Sequence, residues 1–175
     1  RFNAGMKYFE KEKYLKAEAE FNYLILNNPG SKLSLDAQYY LAESMFYQDK
    51  FEEAIVEYNR YSQFSDDPVK IENAEFKSCE ASYLLANDFK YDQGNAAEIM
   101  DKLQVFIEKY PESKFSIQIE FFFKEIRSRL AQKDYETARL YLKLAEYDAA
   151  RIYFNEVISF YYDTEFSDLA RIEII

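Results

Sequence analysis

Residues 1–30 read RFNAGMKYFEKEKYLKAEAEFNYLILNNPG, and the fold class follows from the pattern that they carry. Two small residues, Gly5 and Ala17, stand twelve positions apart and allow two backbones to approach closely. Large apolar side chains recur around them at helical spacing, at Tyr8, Tyr14, Phe21 and Leu24. Because Asn28-Pro29-Gly30 then breaks the pattern, the stretch predicts a pair of helices joined by a short turn.

The same pattern returns twice further along the chain. One copy comprises Ala42, Met45, Phe51, Ala54, Tyr58 and Tyr61, and another comprises Ala138, Tyr141, Tyr147, Ala150, Phe154 and Val157. A helix pair of this kind cannot bury its apolar side alone, so it stacks on its neighbours. Small residues at the crossing with aromatic residues around them are typical of the tetratricopeptide repeat. The sequence therefore predicts an all-α superhelical solenoid.

Chain breaks divide this solenoid into repeats. We expect a single domain over 1–175, with repeat one at 1–30, repeat two at 31–67, repeat three at 68–113, repeat four at 114–164 and the start of a fifth at 165–175. Repeat three is irregular, since Ala81 is expected at its first small position, Ile99 stands at the second, and the polar run 87–95 is interpreted as an inserted loop. Neither Pro nor Gly follows Pro111, which predicts one long helix near 114–144.

Composition narrows the class of function. Hydrophobic residues make up 49% of the 175 residues, which is too many for a disordered segment. The net charge of −10 argues against a nucleic-acid partner. The chain has no His and a single Cys, so it can form neither a Ser–His nor a Cys–His catalytic pair. We therefore expect a protein that is not an enzyme and that needs no cofactor or metal.

Further features are shared with one family. The interval from Ala17 to Ala54 is 37 residues, which is wider than the usual repeat. Characteristic segments stand at 110–113 (Tyr-Pro-Glu-Ser), 126–133, 146–150 and 163–166. Together with the loop in repeat three and the long fourth-repeat helix, these segments resemble the BamD family, which comprises outer-membrane lipoproteins of the β-barrel assembly machinery.

The resemblance implies a place and a set of partners. The full-length protein would be held by an N-terminal lipid at the periplasmic face of the outer membrane of a Gram-negative bacterium, and trimming would explain why the lipid-bearing Cys is missing here. Its partners would be the barrel-forming assembly protein, accessory lipoproteins and unfolded outer-membrane protein segments.

Two other functions remain open on the same fold. A generic periplasmic adaptor in an envelope or cell-division complex would share the repeats but lack the long helix and the wide spacing. A cytosolic co-chaperone would hold a C-terminal carboxylate with Lys and Asn, but this chain has Phe2, Met6 and Tyr40 at those positions.

The first helix of each pair lines the concave face of such solenoids, which predicts a peptide-binding groove in repeats one and two. The groove residues would be Phe2, Met6, Phe9, Asp36, Tyr39, Glu43 and Phe46. In repeat three the corresponding positions would be Glu75, Ser78, Ser82 and Leu85. The alternative is that these side chains pack on neighbouring helices. In the resembling family, this end of the solenoid is the proposed site for C-terminal segments of barrel proteins.

Three further features need an explanation. Successive residues on a helix turn by about 100°, so Phe121, Phe122 and Phe123 cannot share one core, and at least one ring should face another surface. They are expected either to be buried on two sides between repeats or to form a docking surface for a partner. The cluster Phe160–Tyr162 is expected to pack against the fifth repeat, and Cys79 to be a small core residue.

Overall fold

The computed structural model describes residues 1–87 and 96–174, which form nine α-helices and no strand. The helices are α1 (Phe2–Phe9), α2 (Tyr14–Asn27), α3 (Lys32–Phe46), α4 (Phe51–Phe64), α5 (Pro68–Asn87), α6 (Ala96–Lys109), α7 (Ser116–Lys143), α8 (Tyr147–Phe160) and α9 (Glu165–Glu173). The all-α prediction is thereby confirmed, and α7 matches the long helix expected near 114–144. The loop predicted at 87–95 falls almost entirely outside the described residues.

The turns inside three helix pairs share one backbone conformation. Glu12, Asp49 and Ala145 have φ angles of 56°, 59° and 60°, in the left-handed region that side chains other than Gly seldom adopt. Each residue lies between the two helices of a pair, and its amide donates to a carbonyl three residues earlier. This backbone conformation is energetically unfavourable for a residue other than Gly. Its recurrence shows that the three helix pairs are repeats in backbone geometry as well as in sequence.

Local sequence also explains where helices begin. The Ser31 hydroxyl accepts a hydrogen bond from the Ser34 amide at 3.0 Å and caps α3. The Asp67 carboxylate accepts from the amides of Val69 and Lys70, at 3.1 and 3.2 Å, and caps α5. Because Pro68 lacks an amide hydrogen, it suits the first position of that helix.

Neighbouring helices pack in chain order from α1 to α9, as a solenoid requires. The first helices of successive pairs also contact one another, α1 with α3, α5 with α7 and α7 with α9. The second helices α2, α4, α6 and α8 make no comparable contact among themselves within the part of the chain that the structure describes. The first helices therefore lie on the tighter, inner side of the curve and the second helices on the outer side.

Small residues make the close packing possible. A Cβ atom built on Gly5 would lie 2.5 Å from the ring of Phe21, so α1 and α2 could not keep their distance with any larger residue there. Ala42 holds the corresponding place 37 residues later and is fully buried. At the same interval beyond Ala42 stands Cys79, which is also buried.

This interval corrects the predicted register of repeat three. Cys79, and not Ala81, follows the interval that separates Gly5 from Ala42. A shift of two residues rotates a helix face by about 200°. Ser78 and Ser82, predicted on the inner face, are instead buried and bond to a lysine of α6. The prediction was wrong because two small residues, Cys79 and Ala81, stand near this position, and Ile99 replaces the second small residue from which the register could be checked.

No helix within residues 1–87 and 96–174 combines the length and the hydropathy that a membrane crossing requires.

Candidate functional site

Repeat one contributes three apolar side chains of α1 to the predicted groove. Phe2, Met6 and Phe9 are half-buried and pack against the core that α2 and α3 form. The Phe2 ring lies 5.9 Å from the ring of Tyr40, and the Phe9 ring lies 5.6 Å from the same ring. Each of these side chains therefore stabilises the solenoid and leaves only part of its surface for another molecule.

The α3 side chains of the predicted groove differ from one another. Tyr39 is half-buried, with its ring 5.3 Å from the ring of Tyr61 on α4. Asp36 accepts from Lys70 of α5 at 3.5 Å, so its charge is already partly matched. Phe46 is half-buried beside Phe51, at 5.6 Å between rings. The aromatic character predicted for this face is present, but much of it is engaged within the chain.

Glu43 is more deeply buried than a carboxylate that lines an open groove would be. Only 8% of the residue is exposed, and its carboxylate accepts a hydrogen bond from the hydroxyl of Tyr58 on α4. Burial raises the pKa of Glu43, against the opposing effects of the Tyr58 hydrogen bond and of the Lys77 ammonium. In this position Glu43 links α3 to α4 and cannot offer an open carboxylate to a basic partner.

Lys77 of α5 is a residue of this face that sequence reasoning missed. Its ammonium lies 4.8 Å from the centre of the Phe46 ring and 2.8 Å from the Glu80 carboxylate. Lys77 follows Tyr40 by 37 residues, and both side chains contact the preceding first helix, so the correct register of repeat three would have identified it. The inner face is thus a strip of half-buried aromatic rings with one paired cation at its centre.

The three consecutive phenylalanines of α7 separate onto different surfaces. Phe122 is buried and stacks on Tyr83 at 4.2 Å, and Phe123 is half-buried against the same cluster. Phe121 is 53% exposed, which confirms that one ring faces another surface. Ile117, one turn earlier on the same side of the helix, is 83% exposed. Phe121 and Ile117 form an apolar strip, which is called the α7 strip below.

The remaining candidates have different outcomes. Cys79 is buried as predicted, and burial raises the pKa of its thiol to about 11. Phe160, Tyr161 and Tyr162 were expected to pack against the fifth repeat, but Phe160 and Tyr162 are exposed and Tyr161 is half-buried. The Arg127 guanidinium of α7 bonds the Phe160 carbonyl and lies over the Tyr162 ring, 5.7 Å from its centre. Within the described residues, no group of three Cys, Asp or Glu side chains could hold a metal ion.

Comparison with known proteins agrees with this architecture. A family described as YfiO, outer membrane lipoprotein, matches residues 1–173. The outer membrane protein assembly factor BamD of Rickettsia prowazekii (strain Madrid E) is 29% identical over 163 residues, which are 93% of this chain and 65% of that protein. The chain therefore spans slightly less than two thirds of the length of this curated relative.

Proposed function

Because the chain belongs to the YfiO family of outer membrane lipoproteins, we propose that it is a non-enzymatic scaffold and recognition component of the machinery that assembles β-barrel proteins in the outer membrane. The observation that carries this function is the family match over residues 1–173. The similarity to an outer membrane protein assembly factor supports it further. The four sequence segments that resemble the BamD family, at 110–113, 126–133, 146–150 and 163–166, also support this function.

The protein acts at the periplasmic face of the outer membrane of a Gram-negative bacterium, where a lipid on the full-length protein anchors it. Its partners are the barrel-forming assembly protein, accessory lipoproteins and unfolded outer-membrane protein segments. A stacked array of helix pairs suits this role, since solenoids of this kind present extended concave surfaces on which partners bind.

Unfolded segments bind to the inner face of repeats one and two. The half-buried rings of Phe9, Tyr39 and Phe46 supply apolar contact area at low entropic cost, because packing within the chain already holds them. Lys77 over the Phe46 ring adds a positive charge to this face. An aromatic residue at the end of an unfolded barrel protein would cover the exposed parts of these rings.

A folded partner docks on the α7 strip. Ile117 and Phe121 are exposed one helical turn apart, and apolar anchors at that spacing are a common mode of helix recognition. Because Phe122 and Phe123 hold α7 from the other side, the strip is presented on a rigid element.

The test is a pull-down from detergent-solubilised envelopes of the source bacterium. The bait is the wild-type chain, a Phe9→Ala/Phe46→Ala variant, or a Phe160→Ala control that removes an exposed ring elsewhere. We expect wild type and control to recover both the barrel-assembly protein and unfolded barrel proteins, and the double variant to lose only the unfolded proteins. Circular dichroism at the working temperature verifies that every bait is folded.

The outcome separates the two functions that the fold allows. Recovery of neither partner by the wild-type chain would contradict the assembly role and favour a generic periplasmic adaptor. Equal recovery of unfolded proteins by all three baits would move the peptide site away from repeats one and two, while leaving the assembly role in place.

A further inference from the structure

A cleft runs along the outer face of the solenoid between α4 and α6. Both helices pack on α5 but make no comparable contact with each other, so the cleft has α5 as its floor. Its volume is about 340 Å³, near the lower end of the range for ligand sites. The walls are formed by Asn59, Ser62 and Gln63 of α4 and by Lys102, Val105, Phe106 and Lys109 of α6. This cleft lies on the face opposite the aromatic strip of the inner side.

Lys102 points inward, over the floor of the cleft. Its ammonium donates to the hydroxyl of Ser78 at 2.6 Å, to the hydroxyl of Ser82 at 2.9 Å and to the carbonyl of Ser78 at 3.1 Å. All three acceptors are neutral, and Lys102 forms no ion pair with any carboxylate in the part of the chain that the structure describes. A largely buried ammonium with only neutral partners is unusual, since buried charges are normally paired.

The fold itself does not require this charge. The Ser82 hydroxyl donates to the Ser78 carbonyl at 2.8 Å, and the Ser78 hydroxyl donates to the side-chain oxygen of Asn59 at 2.8 Å. A neutral side chain at position 102 would therefore leave both hydroxyl hydrogens bonded. Burial also lowers the pKa of Lys102, and the charges of Glu98 and Glu75 offset this only in part, which means that the charged form is held at a cost to the folded state. A charge that costs stability and has no carboxylate at ion-pair distance among the described residues points to an acidic partner outside the chain.

Other donors converge on the same place. Asn59 uses its oxygen to accept from Ser78, so its side-chain amide hydrogens remain for another acceptor at the cleft wall. Lys109 stands two helical turns after Lys102 at the end of the cleft and pairs with Glu75 at 2.7 Å. Two lysines against one glutamate make the lining positive, in a chain whose net charge is −10. Val105 lies between the lysines and supplies an apolar wall.

We propose that this cleft binds the carboxylate of an acidic peptide segment from a partner protein, with Lys102 and Asn59 as the donors. The incoming carboxylate replaces the contact of Lys102 with the Ser78 carbonyl, which is the longest of its three and whose oxygen keeps the bond from Ser82. A flanking apolar side chain of the segment lies on Val105. Binding here does not depend on the inner face, because no residue is shared between the two surfaces.

The test uses a fluorescein-labelled pentapeptide, acetyl-Ala-Leu-Glu-Leu-Ala-amide, and its counterpart with Gln in place of Glu. Fluorescence anisotropy at low ionic strength measures affinity for the wild-type chain and for Lys102→Met. We expect the Gln peptide to bind at least about tenfold more weakly than the Glu peptide, and Lys102→Met to lose a similar factor. Thermal unfolding of Lys102→Met should occur at or above the wild-type temperature, since a buried charge is removed.

Two more variants test whether a loss of peptide binding is specific to the cleft. Val105→Glu changes a half-exposed wall residue and places a carboxylate of the chain itself beside both lysines, so it should block the peptide while the chain stays folded. Lys133→Met removes an exposed lysine of α7 outside the cleft and should leave affinity unchanged.

Equal affinity for the Glu and Gln peptides, unchanged binding by Lys102→Met, or no binding by the wild-type chain would overturn the carboxylate site. So would weakening by Lys133→Met equal to that by Lys102→Met, because binding would then depend only on overall charge. Binding of inorganic phosphate, measured by calorimetry, without any binding of the Glu peptide would show an anion site and would exclude a peptide site.

Discussion

At the scale of single residues, the most informative positions are charged groups inside an apolar repeat. Glu43 and Lys102 are both largely buried, and both depart from their usual pKa because burial opposes their charge. Glu43 has the opposite charge of Lys77 nearby as well as the hydrogen bond from the Tyr58 hydroxyl, whereas Lys102 donates only to neutral acceptors. The first is explained by the fold, and the second fits the external carboxylate proposed above.

The raised pKa of Glu43 predicts how its replacement changes stability with pH. In the folded state Glu43 holds a proton more tightly than in the unfolded state, so its ionised form reduces stability at neutral pH, and this loss disappears as pH falls through its folded pKa. Glu43→Gln still accepts from Tyr58 and should unfold at a higher urea concentration than wild type at pH 7.5. The difference should shrink toward pH 4.5.

Urea unfolding followed by circular dichroism at both pH values measures this difference. The groups around Glu43 are Tyr39, Tyr58, Lys77 and Glu80, and all are unchanged in the variant. Glu53→Gln, an exposed site on α4, serves as the control and should shift the midpoint little. A lower midpoint for Glu43→Gln at pH 7.5 would mean that attraction to Lys77 outweighs the cost of burial.

At the scale of elements, α7 is the member that connects the two ends of the structure. Its 28 residues span about 42 Å, so its first half packs with α5 and α6 and its second half with α8 and α9. Arg127, near the middle of α7, fastens the segment that follows α8. Its guanidinium donates to the Asp163 carboxylate at 2.8 Å and to the Phe160 carbonyl, and it lies over the rings of Tyr161 and Tyr162.

Removal of this guanidinium should loosen the C-terminal end. Arg127→Met should lower the free energy of unfolding by about 1–3 kcal/mol, because charge-assisted hydrogen bonds from a mostly buried donor are lost. Burial raises the pKa of Asp163, but the hydrogen bond and charge of Arg127, together with a backbone hydrogen bond and the Lys124 charge, outweigh this effect and lower the pKa. This pair therefore stabilises the fold above the ordinary carboxyl pKa. The difference from wild type should therefore decrease as pH falls below about 4.

Denaturant titrations at pH 7 and at pH 3.5 check the Arg127 prediction. Arg151→Met, at an exposed arginine that pairs with Asp148 at 3.3 Å, is the matched control and should change stability by less than about 1 kcal/mol. If the two variants behaved alike, the Arg127 contacts would have no more weight than an ordinary surface ion pair.

At the scale of the whole molecule, the core is divided into local clusters along the solenoid. One cluster joins repeats one and two around Phe21, and another at the C-terminal end surrounds Phe154. No residue belongs to both clusters, and contacts run mainly between neighbouring helices. Stability in such an array is close to a sum over repeats and their interfaces, so distant parts can unfold separately.

Phe154→Ala tests this division. Truncation of a fully buried ring should cost about 3–5 kcal/mol locally. Hydrogen exchange followed by mass spectrometry should show lost protection in α8 and α9 and nearly unchanged protection in α2–α4. Phe21→Ala should give the opposite distribution. A uniform loss of protection from α2 to α9 in either variant would instead mean that the solenoid unfolds as one cooperative unit.

The sequence by itself determined the all-α class, the long helix and the interval of 37 residues. These features are local: small residues at helix crossings, aromatic residues at helical spacing and the positions of Pro and Gly are all readable without a partner element. The place of Cys79 in the core was predictable for the same reason. The resemblance of short segments also led to the family that the comparison later confirmed.

Only the tertiary structure decided which side chains remain accessible to a ligand. Phe2, Met6 and Phe9 have the periodicity of a groove, but whether they face a ligand or a neighbouring helix depends on how α2 and α3 pack against them. The register of repeat three was also decided by the structure, because the sequence offers both Cys79 and Ala81 as small residues, and the contacts of two α5 serines with Lys102 choose between them. The cleft at Lys102 arises from the gap between α4 and α6, which are not adjacent in the chain. Burial, and therefore binding, depends on contacts between segments far apart in sequence, and those contacts exist only once the repeats have stacked.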